Sequence, residues 1–194
     1  PAGAGLLPAG RGGMAGAGRP GPTCLLLGAA GGGKSLLARR LRHIRWGQGR
    51  GDRGAEPPVP QVGTNLTDLR LPRKVTVREL GGCMGPIWPS YYGECSALLF
   101  VVDAANPTQV SSSCIQLLSV LSAEQLASVP VLVLFNKIDL SCYMSLAEMK
   151  SLFRMQDIIS CATQPITMLE TSARDGTGLA NVLQWLRAAL GDPR

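Results

Sequence analysis

The segment from Gly28 to Ser35 constrains the fold of this chain more than any other, because it reads Gly-Ala-Ala-Gly-Gly-Gly-Lys-Ser. It follows the apolar run from Thr23 to Leu27 and opens a stretch, Lys34 to Ile44, with the apolar spacing of a helix. The pattern G-x-x-x-x-G-K-S between a strand and a helix predicts a phosphate-binding loop, whereas an ordinary glycine-rich turn would not need the Lys-Ser pair. We therefore expect an α/β domain that binds a nucleotide at its strand ends.

The residue types of this loop suit phosphate chemistry. Lys34 is expected to reach the β- and γ-phosphates, and the hydroxyl of Ser35 is expected to bind Mg²⁺. ATP-binding and GTP-binding proteins share this loop, so it does not identify the base. Six small residues before Lys34 let the backbone wrap around a phosphate with its N–H groups pointing inward. They are Gly28, Ala29, Ala30, Gly31, Gly32 and Gly33.

Downstream of the loop, short apolar runs alternate with helical segments. This alternation is typical of a mostly parallel sheet with helices on both faces, and it predicts a six-stranded P-loop NTPase fold. The predicted strands are 23–27, 62–69, 74–80, 97–103, 131–136 and 166–170, and the predicted helices are 34–44, 108–121, 145–153 and 179–190. With 194 residues, the chain is long enough for one well-buried domain, which we place at residues 23–190.

A second motif, Asn136-Lys137-Ile138-Asp139, follows the predicted strand 131–136. By itself this sequence is compatible with an ordinary turn, because Asn and Asp favour turns. Downstream of a phosphate loop, however, the Asp139 carboxylate is placed to accept both N–H donors of guanine, a donor pair that adenine lacks. Ser172 and Ala173, after the last predicted strand, belong to a third loop that is expected to close over the base. The three loops together predict a guanine site, and Asp139 argues against ATP hydrolysis.

Charge and composition exclude several other classes. The net charge of +6 is concentrated in residues 1–60, which hold nine Lys or Arg and two Asp or Glu, but no nucleic-acid-reading motif accompanies it. We therefore expect no nucleic-acid partner. No apolar run approaches the roughly 18 residues of a membrane span. Six scattered cysteines without a C-x-x-C pair suggest neither a zinc site nor disulfides, and they fit a reducing, cytoplasmic location.

Two stretches are too rich in Gly and Pro to be regular structure. Residues 1–22 contain eight Gly and four Pro, so we expect a disordered arm, although its arginine-containing, acid-free composition also resembles a transit peptide. Residues 47–60 contain four Gly and three Pro. A long loop at that position is more often functional than accidental, so we expect an extended, flexible, nucleotide-sensing loop there.

The order of these motifs resembles the ADP-ribosylation-factor-like GTPases, and the resemblance runs from Thr23 to about Leu190. Two segments, 63–68 and 78–88, resemble one divergent branch of that family. The resemblance implies a small G domain that binds GTP or GDP with Mg²⁺ and switches between two states. The intervening sequences that carry it are Val62-Gly63-Thr64-Asn65, Leu80-Gly81-Gly82, Ile87-Trp88 and Tyr91-Tyr92.

The resemblance also implies partners. Segments 61–69 and 79–92 would rearrange around the γ-phosphate and recruit effector proteins in the GTP state. An exchange factor and an activating protein are expected by the same analogy. Family members commonly carry an N-terminal amphipathic helix with a myristoylated glycine, and the Gly/Pro-rich arm here does not support one. We therefore expect no stable membrane anchor.

The second switch segment departs from the family pattern Asp-x-Gly-Gly-Gln, because it reads Glu79-Leu80-Gly81-Gly82-Cys83. The resemblance implies that all five residues line the nucleotide site, that Glu79 holds Mg²⁺ through a water, and that the Gly82 N–H meets the γ-phosphate. Cys83 replaces the glutamine that orients the attacking water. A thiol is a weak hydrogen-bonding group, so we expect slow or absent intrinsic hydrolysis.

The first switch segment departs as well, because Gln61 stands where the family places a threonine that binds Mg²⁺. Thr64 or Thr67 takes over that task only if the loop shifts its register. Together with Cys83, this change keeps a second hypothesis open. In that alternative the chain is a pseudo-GTPase scaffold that holds nucleotide statically or not at all.

The aromatic cluster of the second switch segment, Cys83 and the histidine also need an interpretation. Trp88, Tyr91 and Tyr92 either contact an effector or pack beneath the switch loop. Cys83 is interpreted as a small apolar filler rather than as a redox sensor, because no cation or helix start near it in the sequence would lower its pKa. His43, the only histidine, is expected on the surface and outside any catalytic site.

Overall fold

The computed structural model describes residues 21–44 and 64–191, and within these ranges it contains one six-stranded sheet and five α-helices. The strands are β1 Thr23–Leu27, β2 Thr64–Arg70, β3 Lys74–Leu80, β4 Cys95–Asp103, β5 Val131–Asn136 and β6 Ile166–Thr171. The α-helices are α1 Lys34–His43, α2 Val110–Leu121, α3 Leu146–Leu152, α4 Met155–Cys161 and α5 Leu179–Leu190. Three 3₁₀ segments cover Gly82–Glu94, Pro107–Gln109 and Glu124–Leu126.

The sheet has the strand order β2-β3-β1-β4-β5-β6. Only β2 runs antiparallel, paired with β3, and the other neighbours are parallel. The predicted fold, a mostly parallel six-stranded sheet with helices on both faces, is confirmed. Every residue of β5 is buried, as expected for a central strand covered on both sides.

Each face of the sheet has its own apolar core, because side chains alternate along a strand. In β1, Leu25 and Leu27 face the core shared with α2, α3, α4 and the 3₁₀ segment 82–94. Cys24 and Leu26 face the opposite core, which α1 and α5 cover. The two layers hold the strand ends rigidly at one edge, where the motif loops emerge.

Several predicted boundaries differ from the structure. Helix α4 was not predicted, because seven residues give too short an apolar pattern. The 3₁₀ segment 82–94 was missed as well, since Pro86 and Pro89 interrupt any helical reading of the sequence. The predicted helix 108–121 is a 3₁₀ turn followed by α2. The predicted loop 47–60, Gln61 and all but the last two residues of the arm 1–22 lie outside the described residues.

Two aromatic side chains of the segment 82–94 belong to the core. Trp88 is 2% exposed and Tyr92 is 4% exposed, and both join the α2 side of the sheet. The Trp88 indole N–H also donates to the Gly81 carbonyl at 3.1 Å. These two residues therefore pack beneath the switch loop, and an effector contact through them does not fit this structure.

None of the helices within residues 21–44 and 64–191 is both long enough and apolar enough to cross a membrane. All six cysteines fall in these ranges and are free thiols. His43 is exposed, as expected.

Candidate nucleotide-binding site

The motif loops meet at one edge of the sheet because the parallel strands end there together. The register pairs Asp103 with Asn136 and Asn136 with Thr171. The loop 28–33 leaves β1 at the same edge and leads directly into α1. Open α/β sheets bind their ligands at this position, outside the carboxyl ends of the strands.

The glycine-rich loop needs glycine where other loops press against it. Gly33 has φ +94°, and a Cβ there would lie 2.5 Å from Nδ2 of Asn136. In the switch segment, a Cβ on Gly82 would collide with the backbone of Ala29 and Ala30. Because Gly33 and Gly82 lack side chains, the base loop and the switch segment can both contact the phosphate loop. A larger residue at either position would fill the space where the loops meet.

Lys34 lies inside the phosphate loop. Its Nζ donates to the carbonyl oxygens of Gly28 at 2.9 Å and Ala29 at 2.8 Å, and the residue is 6% exposed. An ammonium has three donors, so one remains for a phosphate oxygen. Burial lowers the pKa of Lys34 from its ordinary value, while the charge of Glu79 opposes this change. A bound phosphate would oppose it further by favouring the charged ammonium.

Ser35 and Glu79, the two residues predicted to hold Mg²⁺, are in direct contact. The Ser35 hydroxyl donates to Oε1 of Glu79 at 2.6 Å, and Nδ2 of Asn65 lies 3.5 Å from Oε2. Glu79 is 8% exposed. A hydroxyl and a carboxylate at this separation form an all-oxygen donor pair of the kind that Mg²⁺ prefers. The residues present therefore fit the ion, which would neutralise phosphate charge between them.

The switch segment contacts the phosphate loop through Gly82. Leu80 is buried in the sheet core, and Gly81 immediately precedes the 3₁₀ segment that begins at Gly82. Cys83 is exposed, so its interpretation as an apolar filler was wrong. It follows Gly82, which lies against the backbone of Ala29 and Ala30, so Cys83 is near the phosphate loop.

Asn136 connects three loops through one buried amide. Its Nδ2 donates to the Gly32 carbonyl at 2.9 Å. Its Oδ1 accepts from the Ala173 N–H at 3.1 Å and from the Thr171 hydroxyl at 3.3 Å. A buried amide with donor and acceptor both used holds its neighbours in one geometry. Asn136 therefore acts as a brace between the phosphate loop and the third loop.

Lys137 is held by a partner that the sequence analysis did not single out. Its Nζ lies 2.6 Å from Oδ2 of Asp103, a carboxylate that is 8% exposed. Lys137 itself has φ +72°, an uncommon value for a residue with a side chain. The ion pair joins the loop after β5 to the end of β4, and Lys137 also lines the cleft beside Asp139. The position of Asp103 at the end of a buried strand was the available signal.

Asp139, the predicted reader of guanine, is held by the third loop. Oδ1 accepts from the Ser172 hydroxyl at 2.8 Å, and Oδ2 lies 3.9 Å from Nη1 of Arg174. A cleft of about 180 Å³ opens in front of this carboxylate. Its lining residues are Gly33, Leu36, Asn136, Lys137, Asp139, Leu140, Ala173 and Arg174. Leu36, Leu140 and Arg174 were not predicted, because none of them belongs to a motif.

This fold, with a glycine-rich loop between β1 and α1 and a carboxylate beside a cleft at the strand ends, is that of the small GTPases. The ADP-ribosylation factor family model matches residues 20–190. The chain belongs to this family, whose members bind guanine nucleotides.

Individual relatives agree with this assignment. The chain is 66% identical over 166 residues to human ADP-ribosylation factor-like protein 16, covering 85% of this chain and 84% of that protein. This relative represents the divergent branch that segments 63–68 and 78–88 resemble, so the expected branch is confirmed. ADP-ribosylation factor-like protein 1 of Drosophila melanogaster is 30% identical over 169 residues, which cover 86% of this chain and 87% of that protein.

Among solved structures, the Arl6 BBS3 small GTPase of Trypanosoma brucei, solved with a bound nucleotide analogue, superposes with a TM-score of 0.74. The match covers 88% of this chain and 98% of that chain at 19% identity, so it supports the fold alone. The alternative of a pseudo-GTPase scaffold gains no support from these comparisons.

Proposed function

We propose that this chain is a guanine-nucleotide switch that binds GTP or GDP with Mg²⁺ and recruits effector proteins in its GTP state. One observation carries the proposal. The base-directed Asp139 and the phosphate loop belong to one hydrogen-bonded unit, joined through Ser172, Ala173 and Asn136. Such an arrangement holds the base and the phosphates at a set separation. A scaffold without nucleotide has no need of this geometry.

Effector recruitment would use exposed apolar side chains of the two switch segments. Leu66 on β2 is 60% exposed and Ile87 in the segment 79–92 is 42% exposed. Apolar side chains that a chain leaves in water are candidates for a partner's surface. The structure describes the first switch segment, 61–69, only from Thr64 onward, so only this part is considered for the effector surface. An exchange factor and an activating protein would act on the same segments.

Intrinsic hydrolysis would be slow. Water attack on a γ-phosphate needs a side chain that both accepts from and donates to the water, and Cys83 offers only weak hydrogen bonds. Its exposed position beside the phosphate end leaves room for a catalytic group supplied by a partner. The rate of GTP hydrolysis would therefore be set by a partner rather than by the chain itself.

The primary test is a titration of nucleotide-stripped protein with fluorescent GTP in Mg²⁺, with GDP, GTP, ATP and xanthosine triphosphate as separate competitors. Competition by GDP and GTP alone, at sub-micromolar concentration, is the expected outcome. Equal competition by ATP would remove the role assigned to Asp139. No saturable binding would show that the chain is not a nucleotide switch.

A second measurement separates a switch from a static nucleotide holder. Hydrogen exchange of the segment 79–92 is compared between the GDP complex and a complex with a non-hydrolysable GTP analogue. We expect slower exchange with the GTP analogue, because the Gly82 N–H would then bind the γ-phosphate. Identical exchange in the two complexes would contradict switching, since a ligand shifts an equilibrium only through differential affinity.

A further inference from the structure

A row of side-chain pairs runs along the antiparallel strands β2 and β3 towards the nucleotide site. On the face that α1 covers, Leu69 lies opposite Val75 in the apolar core, and four residues away Asn65 lies opposite Glu79. Side chains directly opposite each other on one face of such a pair are close enough to interact. The row therefore changes from apolar to polar where it reaches Ser35, at the start of α1.

The strand itself does not explain an asparagine at this place. Asn65 is the second residue of β2, and asparagine is depleted in strands because its side chain competes with the backbone for hydrogen bonds. Its Nδ2 donates to Oε2 of Glu79 at 3.5 Å, while the Ser35 hydroxyl donates to Oε1 at 2.6 Å. Within residues 21–44 and 64–191, these are the two hydrogen bonds that the Glu79 side chain accepts. Each carboxylate oxygen therefore has its own donor.

A second donor matters because Glu79 is longer than the aspartate of the family pattern. The additional methylene adds a rotatable bond, and the terminal torsion of a glutamate is broad. A carboxylate held only through Oε1 would turn about this torsion, and it would lose that conformational freedom on binding an ion. A donor on Oε2 fixes the plane of the carboxylate before the ion arrives, and Asn65 supplies this donor.

We propose that Asn65 is a positioning residue for the Mg²⁺ site, because it holds the Glu79 carboxylate in the orientation that supports the ion. This inference rests on the proposed guanine-nucleotide function and on the role of Ser35 and Glu79 at Mg²⁺. The contact also joins the two switch segments, since Asn65 belongs to 61–69 and Glu79 to 79–92. Asn65 acts through Glu79, so its effect on nucleotide retention is expected only when Mg²⁺ is present.

The test measures how the dissociation of mant-GDP from the full chain depends on the Mg²⁺ concentration, with unlabelled GDP in excess. Partners of metal ligands commonly contribute roughly ten- to hundredfold in metal affinity. Asn65 lies one contact further out, so Asn65→Ala is expected to raise the Mg²⁺ concentration for half-maximal retention by about three- to thirtyfold. In excess EDTA, variant and wild type are expected to release mant-GDP at the same rate. Asn181→Ala, the same substitution at an exposed position of α5, is the matched control and is expected to follow the wild type.

A double-mutant cycle separates positioning from a general effect on the strands. Glu79→Asp shortens the side chain by one methylene, so its carboxylate is expected to lose the contact with Asn65. In this background Asn65→Ala is expected to change the Mg²⁺ midpoint by less than about twofold. A change that reached the ion through the packing of β2 would instead appear equally in both backgrounds.

The inference is overturned by an unchanged Mg²⁺ midpoint in Asn65→Ala, by an equal shift in the Glu79→Asp background, or by faster release that persists in EDTA. The last two results would assign Asn65 to the fold or to the nucleotide itself. Wild-type protein that binds mant-GDP without any dependence on Mg²⁺ would also overturn the inference, and it would leave the guanine function standing. Failure of the wild type to bind mant-GDP is a different result, because it would remove the proposed function and the inference with it.

Discussion

The loops around the base and the switch segment 79–92 differ in how their functional side chains are held. Around the base, Asn136, Lys137 and Asp139 each bond to another loop or strand. In the switch segment, Glu79 bonds to Ser35, but Cys83 is exposed. A fully used buried network resists rearrangement, whereas a segment held mainly by packing changes position at lower cost. Under the proposed function, the hydrogen-bonded loops would recognise the nucleotide, and the switch segment would respond to it.

Among changes in the loops around the base, Asp139→Asn is expected to have the largest effect. An amide presents a donor to the guanine donors, so two charge-assisted hydrogen bonds are lost. We expect guanine affinity to fall on the order of 10²- to 10⁴-fold, with a gain for xanthosine nucleotides, whose C2 oxygen accepts a hydrogen bond. Competition titration with mant-GDP measures both changes. Asp157→Asn, at an exposed position of α4, is the control. Unchanged guanine affinity in Asp139→Asn would refute the assigned base reader.

Asn136→Ala tests whether the brace matters for the fold as well as for binding. The variant removes three hydrogen bonds and leaves a buried carbonyl and N–H without partners, so we expect a loss of about 2–4 kcal/mol in the free energy of unfolding. Urea denaturation of the nucleotide-free protein gives this value. Asn181→Ala, on the exposed side of α5, is expected to change stability little. A loss below about 1 kcal/mol would mean that the base loops are less rigid than the network implies.

Cys83→Gln tests the switch segment 79–92. Glutamine supplies the donor and acceptor that orient an attacking water, so we expect single-turnover GTP hydrolysis to rise by about tenfold or more. Cys142→Gln, a change at another exposed cysteine, should leave the rate as it is. An unchanged rate in Cys83→Gln would show that the chain lacks more of the hydrolytic machinery than this one side chain.

Ser145→Ala gives the smallest expected effect and separates stability from binding. Ser145 caps α3 in a reciprocal pair with Glu148, away from both regions. We expect a loss of about 1 kcal/mol in unfolding free energy without a change in mant-GDP affinity. A parallel fall in affinity would mean that nucleotide binding reports global stability, which would weaken the other tests.

The same cap predicts a pH dependence. Hydrogen bonds from the Ser145 N–H and hydroxyl hold the pKa of Glu148 below its ordinary value. A carboxyl with a lowered folded pKa stabilises the fold above its unfolded pKa, and this contribution disappears as the pH falls through the folded pKa. The stability difference between wild type and Glu148→Gln should therefore shrink on acidification, which urea denaturation at several pH values measures. A constant difference would contradict the role of the ionised Glu148.

Much of the fold was predictable, because its signals are local. The apolar runs of β1, β3 and β5 matched the observed strands, and α5 matched at both ends. The segment 82–94 was not predictable, since its packing depends on Trp88 and Tyr92 reaching a core made by α2 and β4. The sequence shows that aromatic residues are present in this segment, but it does not show whether their side chains pack into the core or face the solvent.

For the candidate site, the sequence by itself determined the identity and order of the groups proposed to bind phosphate, Mg²⁺ and guanine. Their spacing is set by short loops directly after strands, where local geometry is sufficient. The tertiary structure decided which groups brace them. Asn136 bonds to Gly32 across 104 residues, and Lys137 bonds to Asp103 across 34. Such contacts depend on strand order and register, which bring distant segments together, and it was this order that placed Arg174 beside Asp139.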